Sequence, residues 1–266
     1  MRILCLLKLV PDVDQLRYNR ETNTLIRENV RLLLNPEDAT AVATALGFKR
    51  DAPDSYIETV SMAPRGAMPH LEDLVRRGID HATLISDRRH AGSDTWATSR
   101  VLARYLETRD FDCVFCGTHT LDGGTGQVPG QLAEALGLPL MVGITTLVEL
   151  DSREGQAVVE VDGETALMQF SVALPAVLGF QYNPKRKLPY IRYEDMNRDV
   201  SDRITVLGNS ELGMDESELG LKGSLTQVRR VEVDGLEAKE PVLLRVDQEG
   251  IDKVYRWLEQ KGFLQR

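Results

Sequence analysis

Residues 111–139, FDCVFCGTHTLDGGTGQVPGQLAEALGLP, set a strand, a glycine-rich loop and a helix end to end, and few folds accommodate that order. Phe111 to Cys116 is a short apolar, β-prone run that must turn at Gly117. Gln127 to Leu136 carries Leu132, Ala133 and Leu136 on one stripe and stops at Gly137, ahead of Pro139, which predicts a helix. Between them, Gly123, Gly124 and Gly126 let backbone N–H groups approach a ligand, beside the hydroxyls of Thr118, Thr120 and Thr125 and the carboxylate of Asp122. A helix start adds the positive end of a dipole, so phosphate or pyrophosphate is the natural occupant of such a loop. Many α/β chains turn on glycine without binding anything, and the loop alone leaves nucleotide binding open.

Upstream, the chain alternates strand and helix. Arg2 to Val10 (RILCLLKLV) is a nearly continuous apolar strand of the kind buried in a parallel sheet, ended by Pro11 and Asp12. Lys8, near its carboxyl end, is either a snorkelling edge residue or a contact to a ligand crevice. Residues 15–34 predict a short hairpin turning at Glu21-Thr22-Asn23-Thr24. Asn35-Pro36-Glu37-Asp38 opens a helix to about Phe48, with Asn35 as a cap, Pro36 in the first turn and two acids at the positive dipole end. Tyr56 to Met62 is a second strand, Met68 to Arg77 a helix, and Ala82 to Ser86 a third strand. The polar run from Asp87 leads, through Ser93 or Asp94 as cap, into a helix ending near Arg109. The fold class is therefore α/β, a doubly wound and mainly parallel sheet. The loops after Lys8, Met62, Ser86 and Cys116 should converge on one side of it.

After Pro139 the texture changes. Gly143 to Leu150, Ala157 to Val161 and Ala166 to Val172 alternate apolar and polar around turns at 151–155 and Asp162-Gly163, an antiparallel hairpin and meander, before the apolar strand Pro175 to Phe180. Residues 181–199 form a long loop, of a length that usually serves function or partner binding. We divide the chain into an α/β domain, 1–207, which includes that loop, and an extended C-terminal arm, 208–266. Within the arm TQVRRVEV is a candidate extended strand, and Ile251, Val254, Tyr255 and Leu258 share one face of a terminal helix. Such a helix packs either on another chain or back on its own domain.

The chain's 266 residues, 42% of them hydrophobic, can bury a sizeable core. A net charge of −9 argues against a partner held by nucleic-acid phosphates. No apolar run approaches the roughly 18 residues of a membrane-spanning helix, and Lys8 and Pro11 interrupt any signal-peptide pattern, so a cytoplasmic protein is expected. Cys5, Cys113 and Cys116 are too few for a disulfide framework, and the CxxC lies in a strand that points its cysteines to opposite faces, which favours a core role. The histidines at 70, 81, 90 and 119 lack metal-ligand spacing, and no Ser/His/Asp or Cys/His set stands out, so neither a metal nor a catalytic side chain is expected.

Several landmarks, in order and at compatible spacing, carry a resemblance: LLKLVPD, the Asn35-Pro36 helix start, Ser61-Met62-Ala63-Pro64, AGSDTWATS, GTHTLDGGTGQ, the VDGE hairpin leading to LPAV, and NSELGMDESELGLKGS. From Met1 to about Val233 the chain resembles the β subunits of electron transfer flavoproteins. The resemblance implies a Rossmann-like fold of the adenine nucleotide alpha hydrolase-like kind and a heterodimer with an α subunit that holds a redox-active FAD. In this family the β subunit binds AMP, as a structural group, or a second FAD. In bifurcating members that second FAD takes hydride from NADH, one electron passing to the α flavin and on to a dehydrogenase, the other to a low-potential acceptor such as ferredoxin or flavodoxin.

Carried over residue by residue, the resemblance implies nucleotide contacts at Leu6, Lys8, Asn35, Pro36, Glu37, Asp38 and Met62. It adds the loop Gly117, Thr118, His119, Thr120, Leu121, Asp122, Gly123, Gly124, Thr125, Gly126, Gln127 and Val128. AGSDTWATS resembles the AGADTxATS pattern of members with FAD in the β subunit, which places Asp94, Thr95 and Thr98 near a flavin and favours FAD, with AMP as the alternative at the same site. GGTGQVPG resembles GDTAQVGP, but Gly124 replaces an acid, Pro129-Gly130 are reversed, and His119-Thr120 replace Gln-Ala. The loop around Leu188, with Pro189 and Ile191, resembles the element that docks an acyl-CoA dehydrogenase-like flavoprotein; an exposed leucine before a rigid proline suits a partner pocket. The competing expectations are a non-bifurcating β subunit with structural AMP and a stand-alone ATP-binding protein of the universal-stress type.

Overall fold

Apolar side chains on both faces put β1 (Arg2–Leu6) in the middle of a sheet rather than at its edge. The computed structural model describes residues 1–12, 17–19, 24–26, 31–163, 165–227 and 242–264. In chain order β2 (Leu9–Pro11), β3 (Arg17–Asn19), β4 (Thr24–Ile26) and β5 (Leu32–Leu34) lead to α1 (Pro36–Asp51), and β2 pairs with β5 and β3 with β4, both antiparallel. The expected hairpin is thus present, although most of its turn lies outside the described residues. Then come β6 (Tyr56–Met62), α2 (Met68–Arg76), β7 (His81–Ile85), α3 (Thr95–Leu106), β8 (Cys113–Gly117) and α4 (Gln127–Leu136). They are followed by β9 (Leu140–Asp151), β10 (Gln156–Asp162), β11 (Leu167–Ala173), β12 (Ala176–Phe180) and β13 (Ile204–Leu207), the short helices α5 (Asn209–Leu212) and α6 (Gly220–Gly223), and α7 (Gln248–Gln260).

The main sheet has nine strands in the order β11-β10-β9-β12-β8-β1-β6-β7-β13. Every pair from β9 to β13 along this order is parallel, and only β9-β10-β11 is antiparallel. β6 and β7 extend the sheet on one side of β1, and the chain then returns to place β8 on the other. The order therefore reverses between β1 and β8, and in such sheets a ligand crevice opens at that point outside the strands' carboxyl ends.

The period of two along the strands divides the core. Ile3, Cys5, Ile57, Cys113, Phe115 and Leu178 pack with α1 and α2, whereas Leu4, Leu6, Val60, Val114, Cys116 and Val177 pack with α3 and α4. Cys113 and Cys116 do fall on opposite faces, and all three cysteines are buried and free. Burial pushes their thiols far above the usual range, which leaves them unreactive. On the α3 side the buried Glu58 carboxylate accepts hydrogen bonds from the Thr83 hydroxyl, 2.7 Å, and the Tyr105 hydroxyl, 2.5 Å, tying β6, β7 and α3 together.

Two placements escape the sequence pattern. β13 is a four-residue edge strand beside β7, and β12 inserts between β8 and β9 although β9 precedes it in the chain. Two compact units are present, Met1–Val228 and Arg229–Arg266. Residues 208–227, which the sequence reading gave to the arm, lie in the first: Arg104 donates to the Leu212 carbonyl at 3.0 Å, and Leu212 and Leu219 are buried with the α3 face. Among the described residues of the second, α7 carries Ile251, Val254 and Tyr255 exposed along one side. Most of TQVRRVEV falls outside the described residues. No described helix is long and apolar enough to cross a membrane.

Candidate functional site

The start of α1 grips the glycine-rich loop. Pro36 sits in the first turn and Glu37 and Asp38 follow, as the sequence suggests, but Asn35 makes no side-chain cap bond to the helix. Its amide instead donates to the His119 carbonyl at 2.8 Å and accepts the Leu121 N–H at 3.2 Å. Glu37 accepts the His119 N–H at 2.5 Å. One oxygen of Asp38 accepts the Gly117 N–H at 2.7 Å and the other the Lys8 N–H at 2.8 Å, so a single carboxylate bridges the ends of β8 and β1. Burial pushes the Asp38 carboxyl up to about 7, against the pull of the two N–H groups. Glycine is required at 117: a Cβ there would lie 2.6 Å from the Asp38 carboxylate and 3.0 Å from the Asp38 backbone nitrogen.

The Lys8 ammonium reaches across to Asp122 at 2.8 Å and closes the loop from the far side. Asp122 in turn accepts the Gly123 N–H at 2.7 Å. Gly126, with φ 62°, makes the left-handed turn into α4, and a Cβ on it would press within 3.0 Å of the His119 ring. The Thr118 hydroxyl is buried; it donates to the Phe180 carbonyl at 3.3 Å and accepts the Gly143 N–H at 3.1 Å, which ties β8 to β12 and β9.

A cavity of about 400 Å³ opens at the reversal between β1 and β8, a volume ordinary for a small-molecule site. Of the residues expected to bind a nucleotide, Leu6, Lys8, Asp38, Met62, Asp94, Thr95, Thr98, Gly117, Thr118, His119, Thr120, Gly123, Thr125, Gly126, Gln127 and Val128 line it. Asn35, Pro36, Glu37, Leu121, Asp122 and Gly124 do not. Asn35, Glu37 and Asp122 hold the loop by the bonds above rather than facing the space it encloses. Sequence reasoning missed the apolar wall of Leu7, Val60, Leu102 and Cys116, and the turn that brings in His90, Gly92 and Ser93. The strand-end rule points to the wall, whereas nothing local marks His90.

The stretch before α3 serves two purposes. Asp94 caps the helix by accepting the Ala97 N–H at 2.9 Å. Its other oxygen accepts the Thr226 N–H at 2.8 Å and the Thr226 hydroxyl at 2.9 Å. Burial pushes the Asp94 carboxyl up, but these donors outweigh it and hold the group below the usual carboxylate range. Thr95 donates to the Gln127 side chain at 2.8 Å, so the first turns of α3 and α4 meet over the cavity. His90 is buried in the same wall; burial pushes its imidazole below the ordinary value, and both ring nitrogens lack a partner among the described residues. No cluster of potential metal ligands occurs among the described residues.

The 181–199 loop departs from expectation at its tip. Leu188 is not an exposed apolar point; it is half-buried against the α1–α2 core, where an apolar side chain beside an open core edge finds its best environment. Ile191 is also half-buried and Pro189 exposed, while the Arg77 guanidinium holds the Pro189 carbonyl. The large exposed apolar side chains of this loop are Tyr182, Tyr190, Tyr193 and Met196, with Tyr190 and Tyr193 more than 90% exposed.

Comparison with known proteins bears on what this arrangement does. Residues 22–187 match the model of the electron transfer flavoprotein domain. The chain is 34% identical to the electron transfer flavoprotein subunit beta of Thermoanaerobacterium thermosaccharolyticum, over 86% of each chain. It is 33% identical to the caffeyl-CoA reductase-Etf complex subunit CarD of Acetobacterium woodii, over 86% of this chain and 87% of that one. With protein FixA of Azotobacter vinelandii it shares 32% identity over 86% of this chain and 82% of the relative.

Proposed function

The chain belongs to the electron transfer flavoprotein family, standing among its β subunits, and from that premise we propose that it binds FAD in the cavity at the β1–β8 reversal and works as one half of a heterodimer with an α subunit. The observation that carries FAD rather than AMP is the extent of the cavity. Asp94, Thr95 and Thr98, the residues of the FAD-type pattern, line the same space as the glycine-rich loop. The donor set fits a dinucleotide: glycines beneath α4 and the helix start suit a pyrophosphate, and the apolar wall of Leu6, Val60, Met62 and Leu102 suits planar rings.

When bound, the flavin supplies the redox chemistry. The chain's own residues bind, orient and exclude water. The Asn35–Asp38 clamp fixes the loop through hydrogen bonds at the start of α1. The Lys8–Asp122 bridge leaves an ammonium at the rim, where it can meet an anionic group. The buried Leu6, Val60 and Cys116 would exclude water from their side of a bound flavin.

The heterodimer would take electrons from NADH and pass them, by bifurcation, to an acyl-CoA dehydrogenase-like flavoprotein and to ferredoxin or flavodoxin. The name of the CarD relative, a subunit of a caffeyl-CoA reductase-Etf complex, supports a CoA-ester oxidoreductase as one partner. We place dehydrogenase docking on the 181–199 loop, through its exposed tyrosines with Leu188 as their packed base, and contact with the α subunit on the C-terminal arm. The family match favours this reading over a stand-alone ATP-binding protein.

Acid release of nucleotides from the co-purified αβ complex tests the central point. Two FAD and no AMP per heterodimer is the expected result. One FAD with one AMP would refute a β flavin and leave a structural and docking subunit.

A further inference from the structure

His90 has no counterpart in the contacts considered so far. It sits in the 3₁₀ turn Arg88–His90 that follows β7, 7% exposed, with neither Nδ1 nor Nε2 paired among the described residues. Buried polar atoms in folded proteins nearly always have partners, so an imidazole with two orphaned nitrogens in a cavity wall marks a place where a partner arrives. The backbone around it is already committed: the His90 carbonyl accepts the Ser93 hydroxyl at 2.8 Å and the Ser93 N–H at 3.2 Å. The backbone is therefore fixed there while the ring nitrogens have no partner among the described residues.

Position narrows what that partner can be. The cavity runs across the carboxyl ends of β8, β1 and β6, from the glycine-rich loop to the turn after β7 that carries His90. The glycine-rich loop, where a phosphate would sit, is a different part of the lining from the turn that carries His90. Burial holds the imidazole below its ordinary value, and the Asp94 carboxylate four residues on lines the same wall, so the imidazole is poorly suited to an anion. The apolar side chains of Met62 and Leu102 beside it suit a flat, weakly polar group.

We propose that His90 reads the heterocyclic base of the bound nucleotide, one ring nitrogen hydrogen-bonding the polar edge of that base. This rests on the nucleotide-site reading above and makes His90 a specificity-determining residue. Adenine and isoalloxazine both present the required edge of donors and acceptors, and the choice between them is made by which ligand responds.

The test compares the full wild-type chain with His90→Phe, which keeps a flat ring without nitrogens, and His90→Gln, which keeps a donor and an acceptor. FAD and AMP affinities are measured by calorimetry, with urea midpoints as a folding control. Loss of one hydrogen bond should weaken binding about tenfold in His90→Phe, with recovery in His90→Gln. A loss confined to FAD assigns the isoalloxazine, and an equal loss for both ligands assigns the adenine. Unchanged affinity for both ligands in His90→Phe overturns the proposal, since a solvated or structural histidine gives that result. A wild-type chain that binds neither nucleotide instead overturns the nucleotide-site reading itself. Should His90→Phe not fold, the imidazole nitrogen resonances of the wild-type chain decide: saturation with the ligand should shift one of them, and an unmoved pair overturns the proposal.

Discussion

Replacing Gly117 by alanine attacks the contact on which the loop is built. The new Cβ would lie 2.7 Å from the Glu37 Cβ and 3.0 Å from the Asp38 backbone nitrogen. Against a carbon–carbon optimum of about 3.5–4.0 Å, the first turn of α1 must retreat by on the order of 1 Å. That stretch breaks the 2.7 Å bond from the Gly117 N–H to Asp38 and loosens the 2.8 Å bond from Lys8. Overpacking contributes about 1–3 kcal/mol and leaving the buried Gly117 N–H without its acceptor about 1–3, so a destabilisation of about 2–5 kcal/mol is expected. Urea unfolding followed by Trp96 fluorescence in a Trp257→Phe background reads it out. Gly155→Ala is the control, because φ is 63° there but the space is open, so it should cost only the left-handed strain, about 1–2 kcal/mol. A Gly117→Ala protein within 1 kcal/mol of wild type would refute the clamp.

Asp38→Asn should change how stability depends on pH. With the folded value raised from 3.8 to about 7, the native state keeps a proton that the unfolded chain has released, so this group's contribution falls as pH rises from about 4 to 7 and levels off above. The stability of wild type minus that of the variant should drop by roughly 2–3 kcal/mol between pH 5 and 7; a gap that grows with pH would contradict the assignment. Tyr105→Phe removes a 2.5 Å donor from the buried Glu58 carboxylate and should destabilise by about 1–3 kcal/mol in the same unfolding assay. A cost below about 0.5 kcal/mol would mean that the carboxylate finds another donor.

The parts of this fold that depend on nearby residues were legible in the sequence. α4 begins and ends where Gln127 and Gly137 suggest, and β6 spans the expected Tyr56–Met62, because each is framed by its own turn residues. β13 was invisible: ITVL is too short to show a period, and only pairing with β7 makes it a strand. Asn35 illustrates a deeper limit. Its position invites a helix cap, yet its partners are 84 and 86 residues away, and no local signal separates a cap from a clamp. Leu188 was misjudged for a similar reason, since the core edge that covers it is assembled from distant strands and helices. The cavity was foreseeable from the alternation of strands and helices, while His90 enters it only because the turn after β7 is folded back.

The loop between β8 and α4 is held by protein groups, Asn35, Glu37, Asp38 and Lys8. Its conformational entropy is therefore surrendered during folding rather than at the moment of binding. Affinity and fold stability then draw on one shared set of hydrogen bonds, so substitutions at Asn35 or Glu37, which do not line the cavity, will present as binding defects. A survey of variants scored only for ligand affinity would map the footprint of the clamp and mistake it for the footprint of the ligand.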